Sequence, residues 1–372
     1  MPARNTYIKT ATGWEQVASG SEITAINDLS DVVITSASTG QGIVYNGSNW
    51  VNTTSSPNFV LNGAFDIWQR GTSFSATGYC ADRWYFAETG TCVVTQETVE
   101  VPTGYVYSLK ANATTSSDSA DIYQSLEQMD VEQLRGKTVT FSVNLKMDAN
   151  MISQTGNFEL KTYYSNLTDA RASQTTVVNN TNGQTSTVIT KSNHSGWAVA
   201  SHTFVVPTDA VGLRLAIEPP LTGASPSQAV YWVTGAQLEI GSFATPFKRS
   251  SPTYAQELAA CQRYYIQFTA GSVGGNFAFF ATTTAYSSTA AGWAAMLPDT
   301  MRTIPSISTS GNFRLVGSTT VSVTSIALYG VGSMPQPVSL TVSVASGLTS
   351  GSGYILSANN DATATVKFDS EL

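Results

Sequence analysis

Residues able to do acid–base chemistry are sparse in this 372-residue sequence, in which only 12% of the residues are charged. That is about half of the ~25% found in average soluble domains. Asp66, Asp82, Glu88 and Glu97 could in principle supply the two carboxylates of a glycoside hydrolase. Their spacing does not indicate which of them meet. Motifs of serine hydrolases, phosphate-binding loops, dinucleotide sites and zinc proteases are absent from the sequence, so we expect no enzyme and no catalytic residues.

Thiol and imidazole groups give no pattern typical of a metal centre. Cys80, Cys92 and Cys261 cannot all pair within one chain, and their spacing does not match a zinc site. Cys80 and Cys92 could meet across two strands, but we favour buried free thiols. His194 and His202 alone do not make a convincing centre. We therefore expect no cofactor and no metal site, and whether a loop holds a metal stays open.

Aromatic residues are the other chemically informative group, since a ring face can stack on a sugar. Trp68 and Trp84 lie in a segment rich in apolar residues, and we expect them to be core residues rather than a sugar platform. Trp197 lies in a turn-like segment and is a better candidate for exposure, although packing is favoured there too. The candidates for glycan contacts, mostly on predicted loops, are Trp197, Tyr286, Trp293, Asn359, Asn360 and Asp361.

Charged residues near the two tryptophans suggest a structural role. Arg70 and Arg83 lie close in sequence to Asp66 and Asp82. We expect these side chains to form structural ion pairs rather than a ligand clamp.

Alternating apolar and polar residues predict the elements that must position these groups. Strict alternation over residues 138–147, 211–218 and 231–241 is typical of half-buried strands. Many such strands, separated by polar turns, favour a two-sheet sandwich over βαβ units. In the third stretch the alternation predicts one inward face composed of Trp232, Thr234, Ala236, Leu238 and Ile240.

The resulting fold class is all-β, in four parts. Residues 1–57 form a small N-terminal β-hairpin segment, and residues 58–250 form a central jelly-roll β-sandwich. Residues 251–265 form a short connecting helix, and residues 266–372 form a C-terminal β-sandwich. The helix has a capping box made by Thr253 and Gln256. Its buried face is expected to consist of Leu258, Cys261 and Tyr265.

Two short hairpins are predicted in the N-terminal segment. The stretches YIKTATGWEQV (7–17) and GIVYNGSNWVN (42–52) each contain two strand-like pieces, and Asn46-Gly47 is a tight-turn signal. An isolated hairpin is marginally stable in water. These pieces must therefore pack on other copies of the chain or on a partner.

Charge and hydropathy exclude two classes of partner. The net charge is −7, and no basic run is present that would mark a nucleic-acid-binding surface. No stretch of about 18 apolar residues occurs, so we expect no membrane insertion. The N-terminal MPARNTYIKT has no apolar core typical of a signal peptide.

Several phrases resemble bacteriophage tail-fibre and related virion adhesion proteins. The first is NGAFDIWQRGTSF followed by YCADRW. Further phrases follow in the same order: GAQLEIGSFATPF (235–247), ELAACQRYY (257–265), LPDTMRTIPSIS (297–308) and a final FDSEL. The stretch 29–52 is similar to a short fibre-shaft segment. In the first phrase the matching positions are Asn62, Gly63, Phe65, Trp68, Gln69, Arg70, Gly71, Tyr79, Ala81, Asp82, Arg83 and Trp84.

This resemblance implies a homotrimeric fibre protein of the virion, extracellular when mature. It implies that residues 1–57 attach to a virion tail or capsid protein, and that the C-terminal domain adheres to a host surface polysaccharide without cleaving it. The central block resembles a carbohydrate-binding module, with its best match at residues 122–147. Sugar-binding positions are not carried over, because they vary among such modules. Two alternatives remain: a capsid-decorating fibre without receptor binding, and a capsule depolymerase.

Overall fold

The computed structural model describes residues 7–10, 12–16, 29–35, 41–46, 48–54, 56–113, 119–165, 183–220, 228–271, 278–329 and 335–372. The chain divides into two compact units. One consists of Met1–Ser56 with Phe243–Pro246, and the other of Pro57–Ser242 with Phe247–Leu372.

The N-terminal unit contains both predicted hairpins. Strands β1 (Tyr7–Thr10) and β2 (Gly13–Gln16) are antiparallel, with Lys9 opposite Trp14. Three further strands, with β5 in the centre, form a second small sheet: β3 (Val32–Val33), β4 (Gln41–Tyr45) and β5 (Trp50–Thr54). Strand β4 is antiparallel to β5, and β3 is parallel to it.

The turn of the second hairpin is organised by the side chain of Asn46. Its Oδ1 atom accepts hydrogen bonds from the backbone N–H groups of Ser48 at 3.0 Å and Asn49 at 2.8 Å. Tyr45 lies opposite Trp50, so four residues connect the strands instead of the two of a tight turn. The hairpin prediction is confirmed, and the loop is longer than Asn46-Gly47 alone indicates.

Two six-stranded antiparallel sheets form the sandwich in the larger unit. The first sheet has the order β15-β12-β17-β10-β9-β6. Its strands are β6 (Ser73–Phe74), β9 (Cys92–Glu97), β10 (Ser108–Ala113), β12 (Thr138–Met147), β15 (Ala198–Val205) and β17 (Ala229–Ile240). The second sheet has the order β14-β13-β16-β11-β8-β7. Its strands are β7 (Gly78–Tyr79), β8 (Tyr85–Thr89), β11 (Ser119–Leu126), β13 (Phe158–Ser165), β14 (Gly183–Ile189) and β16 (Gly212–Glu218).

Alternation correctly predicts the core side of β12 and β16, two of the three sandwich strands for which a face was predicted. In β12 all five predicted inward residues are buried: Val139, Phe141, Val143, Leu145 and Met147. The three cysteines are buried thiols that form no disulfide, as expected. Burial raises the pKa of the Cys80 thiol to about 12, which leaves it protonated and unreactive.

Strand β17 contradicts the predicted face in its first half. Its core residues there are Tyr231 and Val233, whereas Trp232 and Thr234 point to the opposite side. The cause is a β-bulge at Gly235, where the pairing with β12 shifts by one residue. Gly235 has a φ of +62°, the left-handed geometry typical of such bulges. After the bulge the prediction holds, with Ala236 and Leu238 in the core.

The second compact unit also contains an all-β C-terminal region. Six strands close into a barrel in the order β19-β20-β24-β23-β22-β25, beside a three-stranded sheet in the order β18-β26-β21. Their bounds are β18 (Tyr265–Thr269), β19 (Phe279–Ala285), β20 (Ala290–Ala295), β21 (Ser306–Ser310), β22 (Phe313–Val316), β23 (Thr320–Leu328), β24 (Val338–Val344), β25 (Gly353–Ala358) and β26 (Thr365–Asp369). The all-β fold class is confirmed. Residues 266–372 were predicted to form a β-sandwich. Six of their strands instead close into a barrel.

Helices in the described ranges are few and short. They are α1 (Gln128–Leu134), α2 (Ala149–Ser153), one 3₁₀ helix (Lys191–His194) and α3 (Tyr254–Gln262). Within the described ranges, no helix is both long enough and apolar enough to cross a membrane.

The predicted capping box of α3 is confirmed, but its buried face differs from the prediction. The Thr253 hydroxyl accepts from the N–H of Gln256 and donates to its side-chain oxygen. Cys261 is buried as expected, whereas Tyr265 already belongs to β18. Glu257, a charged residue, lies on the buried side. Its carboxylate is retained there because it accepts the backbone N–H of Asn62 at 2.8 Å.

The segment NGAF is folded around the side chain of Asn62, which has a φ of +53°. The Asn62 amide accepts from the N–H of Ile67 at 3.0 Å and donates to the carbonyls of Ile67 and Asp82 at 2.9 and 3.0 Å. Phe65 stacks on Trp84, with 4.8 Å between ring centroids. Trp84 is fully buried, which confirms its expected role in the core.

Asp82 holds the next part of this segment against β18. Its carboxylate accepts the backbone and side-chain N–H groups of Gln69, both at 2.7 Å, and lies 3.7 Å from Arg70. Gln69 also donates to the carbonyl of Tyr265 at 2.9 Å. The Arg70 guanidinium lies over the Tyr265 ring, 3.5 Å from its centroid. Charged and aromatic groups of the sandwich thus dock onto the first strand after α3.

The C-terminal residues complete this contact. Arg83 forms an ion pair with Glu371 and lies over the ring of Tyr264 at 3.5 Å. Arg302 donates to the carbonyls of Ser370 at 2.9 Å and Glu371 at 3.1 Å. Of the ion pairs expected within the segment, Arg70 with Asp82 is present, whereas Arg83 pairs with Glu371 and Asp66 pairs with Arg249. We call the network the joint; it comprises Arg70, Asp82, Arg83, Asp369 and Glu371.

The joint gives these phrases a structural role. Residues 62–84, 257–265, 297–308 and 368–372 are far apart in sequence and meet there. The many aromatic and charged side chains of these segments form the contacts that hold the sandwich against the C-terminal strands.

Candidate functional site

Tyr286 is the most accessible of the three aromatic residues predicted to contact a glycan. It is 48% exposed and makes an edge-to-face pair with Tyr329, with 5.8 Å between ring centroids. Its hydroxyl lies 3.2 Å from that of Thr341. This pair presents aromatic surface on the barrel.

Trp293 instead belongs to the barrel wall. It is only 9% exposed, and its ring packs edge-on against Phe368 with 6.2 Å between centroids. One side of it lines a groove of about 630 Å³ together with Phe268, Phe280 and Met296. Trp293 therefore contributes mainly to packing.

The loop 359–361 is held by its own carboxylate. Asp361 accepts hydrogen bonds from the N–H and the hydroxyl of Thr363, at 2.9 and 2.7 Å, and from the N–H of Asn312 at 2.9 Å. The hydroxyl of Thr363, followed by the N–H of Asn312, lowers the pKa of Asp361. Asn360 adopts a φ of +53° in this loop. The oxygens of Asp361 are thus engaged within the chain.

The predicted residues make no direct contact with one another in the described ranges. Trp197 is half-buried and precedes β15, in the sandwich. In the described ranges, no hydrogen bond or ring contact joins Trp197, Tyr286, Trp293 and the loop 359–361 to one another.

A different surface brings chemically active groups together: the outer side of the second sheet. Alternation places Ile122, Leu160 and Leu215 in the core, and the residues between them on the opposite side. That opposite side carries tyrosines and charges instead of the serines and threonines common on solvated strands. We call it the polar face; it comprises Asp121, Tyr123, Glu159, Lys161, Tyr163, Arg214 and Glu218.

Hydrogen bonds fix the carboxylates of the polar face. Glu218 accepts from the Lys161 ammonium and from the Tyr163 hydroxyl, both at 2.6 Å. Asp121 accepts from the Tyr123 hydroxyl at 2.8 Å. Each oxygen is oriented before any ligand arrives, which lowers the entropic cost of binding.

These surroundings shift the pKa values of the face. Burial raises the pKa of Asp121 to about 6, with a further contribution from the charge of Glu218, and the hydroxyl of Ser119 partly offsets the rise. Burial and the hydrogen bond to Glu218 raise the pKa of Tyr163 to about 12. Asp121 therefore titrates near neutral pH, whereas Tyr163 stays a hydrogen-bond donor.

A pocket of about 300 Å³ lies at one end of the polar face. Its walls present carboxylates, an ammonium and an amide, which together donate to and accept from the hydroxyls of a polyol. Asn157 is exposed there, and its amide makes no hydrogen bond to any described residue. The pocket is lined by Asp121, Asn157, Glu159, Lys161, Glu218, Pro219 and Pro220.

Sequence reasoning missed this pocket, although a signal was present. In the alternating stretches DIYQSL (121–126) and ELKTYYS (159–165), the outward positions carry tyrosine and charged residues. Which strands lie side by side could not be deduced from either stretch alone. Within the described residues, no group of three or more histidine, cysteine, aspartate or glutamate side chains could hold a metal ion.

Comparison with known proteins gives distant structural similarities. No family model and no curated protein matches this chain. Tailspike protein 4 of bacteriophage CBA120, in its enzymatically active domain, is similar at 12% identity and a TM-score of 0.32, over 50% of this chain and 21% of that chain. This chain thus spans about a fifth of the tailspike chain.

Carbohydrate-binding modules are also among the similar structures. A family 16 module matches at 15% identity and a TM-score of 0.27, over 39% of this chain and 84% of that chain. The CBM22-1 xylan-binding domain of a Paenibacillus barcinonensis protein matches at 16% identity and a TM-score of 0.27, over 46% of this chain and 94% of that chain. Similarity this distant does not indicate what the present chain binds.

Proposed function

We propose that this chain is the subunit of a homotrimeric virion fibre that binds a host surface glycan without cleaving it. The sequence phrases centred on Asn62–Trp84 support the fibre assignment, because they resemble those of phage tail-fibre proteins. In this proposal residues 1–57 attach to a tail or capsid protein, and residues 58–372 carry the glycan contacts. The mature protein is then extracellular, as part of the virion.

The polar face is the observation that carries the binding role. Its pocket, about 300 Å³, reaches the lower end of the range typical of ligand sites. Carboxylates, an ammonium and an amide converge there, and sugar hydroxyls need such donors and acceptors. A single pocket of this size gives weak binding, which three copies on one fibre strengthen through multivalency.

The small N-terminal sheet supports a trimer. Ile43, Tyr45 and Trp50 are each between 44% and 51% exposed there, and Tyr45 contacts Trp50 with 5.6 Å between ring centroids. A sheet this small cannot bury these side chains by itself. Threefold association would remove them from water, and burial of apolar area is the main driving force for such association.

A capsule depolymerase is the rival that a specific observation favours. Asp121, with its pKa raised to about 6, lies on the same face as the carboxylate of Glu218. A carboxyl group with a raised pKa beside a second carboxyl group is the arrangement that glycoside hydrolases use. The other alternative, a capsid-decorating fibre without receptor binding, predicts that no glycan binds.

Binding of the full-length protein to a panel of bacterial surface polysaccharides tests the proposal. We expect Asn157→Ala combined with Glu159→Ala to weaken binding about tenfold, since each removes a side chain able to hydrogen-bond to hydroxyls. Tyr286→Ala, on the barrel, is the matched control and should leave affinity unchanged. Absence of binding to every polysaccharide, or equal binding by the pocket variant, would refute the assignment to the polar face.

The same incubations distinguish binding from cleavage. Size-exclusion chromatography of the polysaccharide after incubation should show chains of unchanged length. Shortened chains that disappear with Asp121→Asn would establish the depolymerase instead.

A further inference from the structure

Arg214 is a buried cation in the middle of the polar face. It lies on β16, which pairs with β11 on one side and β13 on the other. The residue is only 6% exposed. Its guanidinium is held between the rings of Tyr123 and Tyr163, at 4.4 and 4.3 Å from the ring centroids.

No anion neutralises this guanidinium in the described part of the chain. Arg214 makes no hydrogen bond and no ion pair with any described residue, and its Nε atom is buried without a partner. The buried arginines of the joint differ, since Arg70 and Arg83 both pair with Glu371. A buried cation without a counter-charge is costly, and the two rings compensate it only in part.

The neighbouring carboxylates are already engaged elsewhere. Arg214 lies opposite Ser125 on β11 and Tyr163 on β13, so neither cross-strand neighbour is acidic. Glu218 binds Lys161. It lies four residues along β16 from Arg214, which corresponds to about 13 Å between their Cα atoms in an extended strand. Neither nearby carboxylate contacts the guanidinium directly, because each is held by a tyrosine that flanks it: Glu218 by Tyr163 and Asp121 by Tyr123.

The two rings also fix the plane of the guanidinium. An arginine held in this way presents its N–H groups in a fixed fork, which matches the two oxygens of a carboxylate better than a lysine would. The tyrosine rings leave little exposed surface of their own, since Tyr123 and Tyr163 are both buried. They orient the cation and do not themselves form a platform for a sugar.

We infer that Arg214 binds the carboxylate of an acidic sugar, so that the glycan recognised by this protein carries a carboxylate-bearing monosaccharide. The inference rests on the proposed function and specifies its ligand class. The pocket at Glu218 would hold another, neutral residue of the same glycan. Discrimination against neutral polymers follows, because a neutral sugar leaves the guanidinium unpaired.

The test compares each acidic polysaccharide that the full-length protein binds with the same polymer after chemical reduction of its carboxyl groups to alcohols. We expect carboxyl reduction to weaken binding at least about tenfold, the effect of losing a charge-assisted bidentate contact. Arg214→Gln should weaken binding to the acidic polymer to the same extent and leave binding to the reduced polymer unchanged. Lys110→Gln, which removes one positive charge from the first sheet, is the control and should behave as the unmodified protein.

Three outcomes decide the matter. A matching loss through Arg214→Gln and through carboxyl reduction supports the inference. Glycan binding that neither change affects overturns it and leaves the proposed function standing. Failure to bind any glycan refutes the proposed function and the inference together. If Arg214→Gln does not fold, the comparison of the two polymers with the unmodified protein still gives one of these answers.

Discussion

Arg83 and Glu371 form an ion pair in which both side chains are 3% exposed, although 288 residues separate them in sequence. Glu371 also accepts from Arg70 at 3.2 Å, so one carboxylate serves two buried cations. This pair fixes the sandwich to the C-terminal strands. Removing one partner should therefore lower the free energy of unfolding more than breaking a surface ion pair would.

We expect Glu371→Gln to lower the free energy of unfolding by about 3–5 kcal/mol, because it leaves the buried guanidinium of Arg83 without its ion-pair partner and removes one of the three carboxylates around Arg70. Urea denaturation followed by tryptophan fluorescence measures the change. Arg263→Gln is the control, since Arg263 is 39% exposed in its pair with Glu127 and should cost less than about 1 kcal/mol. Equal effects of the two variants would contradict the role assigned to the joint.

We expect Asp121→Asn to change the pH dependence of stability. The pKa of Asp121 is about 6 in the folded protein, above its ordinary value. The folded state thus keeps a proton that the unfolded chain releases, and this contribution to stability is lost as pH rises from about 4 to about 6. Relative to the unmodified protein, the variant should gain about 1–2 kcal/mol over that range.

Urea midpoints of both proteins at several pH values from 4 to 7 give this difference directly. Subtracting the free energy of unfolding of the unmodified protein from that of the variant at each pH cancels the contributions of the other titrating groups. His202, whose pKa burial lowers to about 4, contributes with the opposite sign: its stabilisation appears as pH rises from about 4 to about 6.5. A difference that is constant across the range would show that Asp121 is not protonated near neutral pH.

We expect Gly235→Ala to destabilise the sandwich by about 2–4 kcal/mol. Its φ of +62° disfavours alanine, and the added methyl group would meet the Tyr105 hydroxyl and the Asn144 amide, which hydrogen-bond to each other at 2.9 Å. Gly196→Ala is the control, because no heavy atom lies within 4 Å of the position its Cβ would take. Thermal unfolding measures both; a change in Tm no larger than that of the control would argue against the bulge.

We expect Ile43→Asp combined with Trp50→Asp to dissociate the proposed trimer, since the two exposed apolar side chains would be charged in every copy. Sedimentation velocity of the full-length protein measures the mass of the species. Val199→Asp is the control, because Val199 is 59% exposed, more than Ile43 or Trp50, but lies on the sandwich. A monomeric unmodified protein, or a trimer that survives the double substitution, would contradict the proposal.

Local patterns made the fold class predictable. Apolar alternation in residues 138–147 identifies both the strand and its core side, because a two-residue period is a property of extended backbone and needs no partner. The capping box of Thr253 and Gln256 is likewise local, three residues wide. The expectation that Trp84 is a core residue also held, in a segment dense in apolar side chains.

The positions of the functional side chains could not be predicted, because they depend on contacts between residues that are distant in the sequence. A single bulge at Gly235 reverses the faces of Trp232 and Thr234, and its position is set by pairing with β12. Among the predicted glycan residues, Trp293 packs in the barrel and Asp361 is engaged by its own loop, since burial and hydrogen bonding there depend on distant neighbours.

The sequence by itself determined that this chain forms β-strands, which side of most strands is apolar, and that Arg70 and Arg83 are paired. Only the tertiary structure decided that Glu371 is the partner of both arginines, and that Arg214 lies between two tyrosines from strands β11 and β13. The physical reason is that strand formation follows from neighbouring residues, whereas charge pairing and burial follow from which distant strands become adjacent when the sheets close.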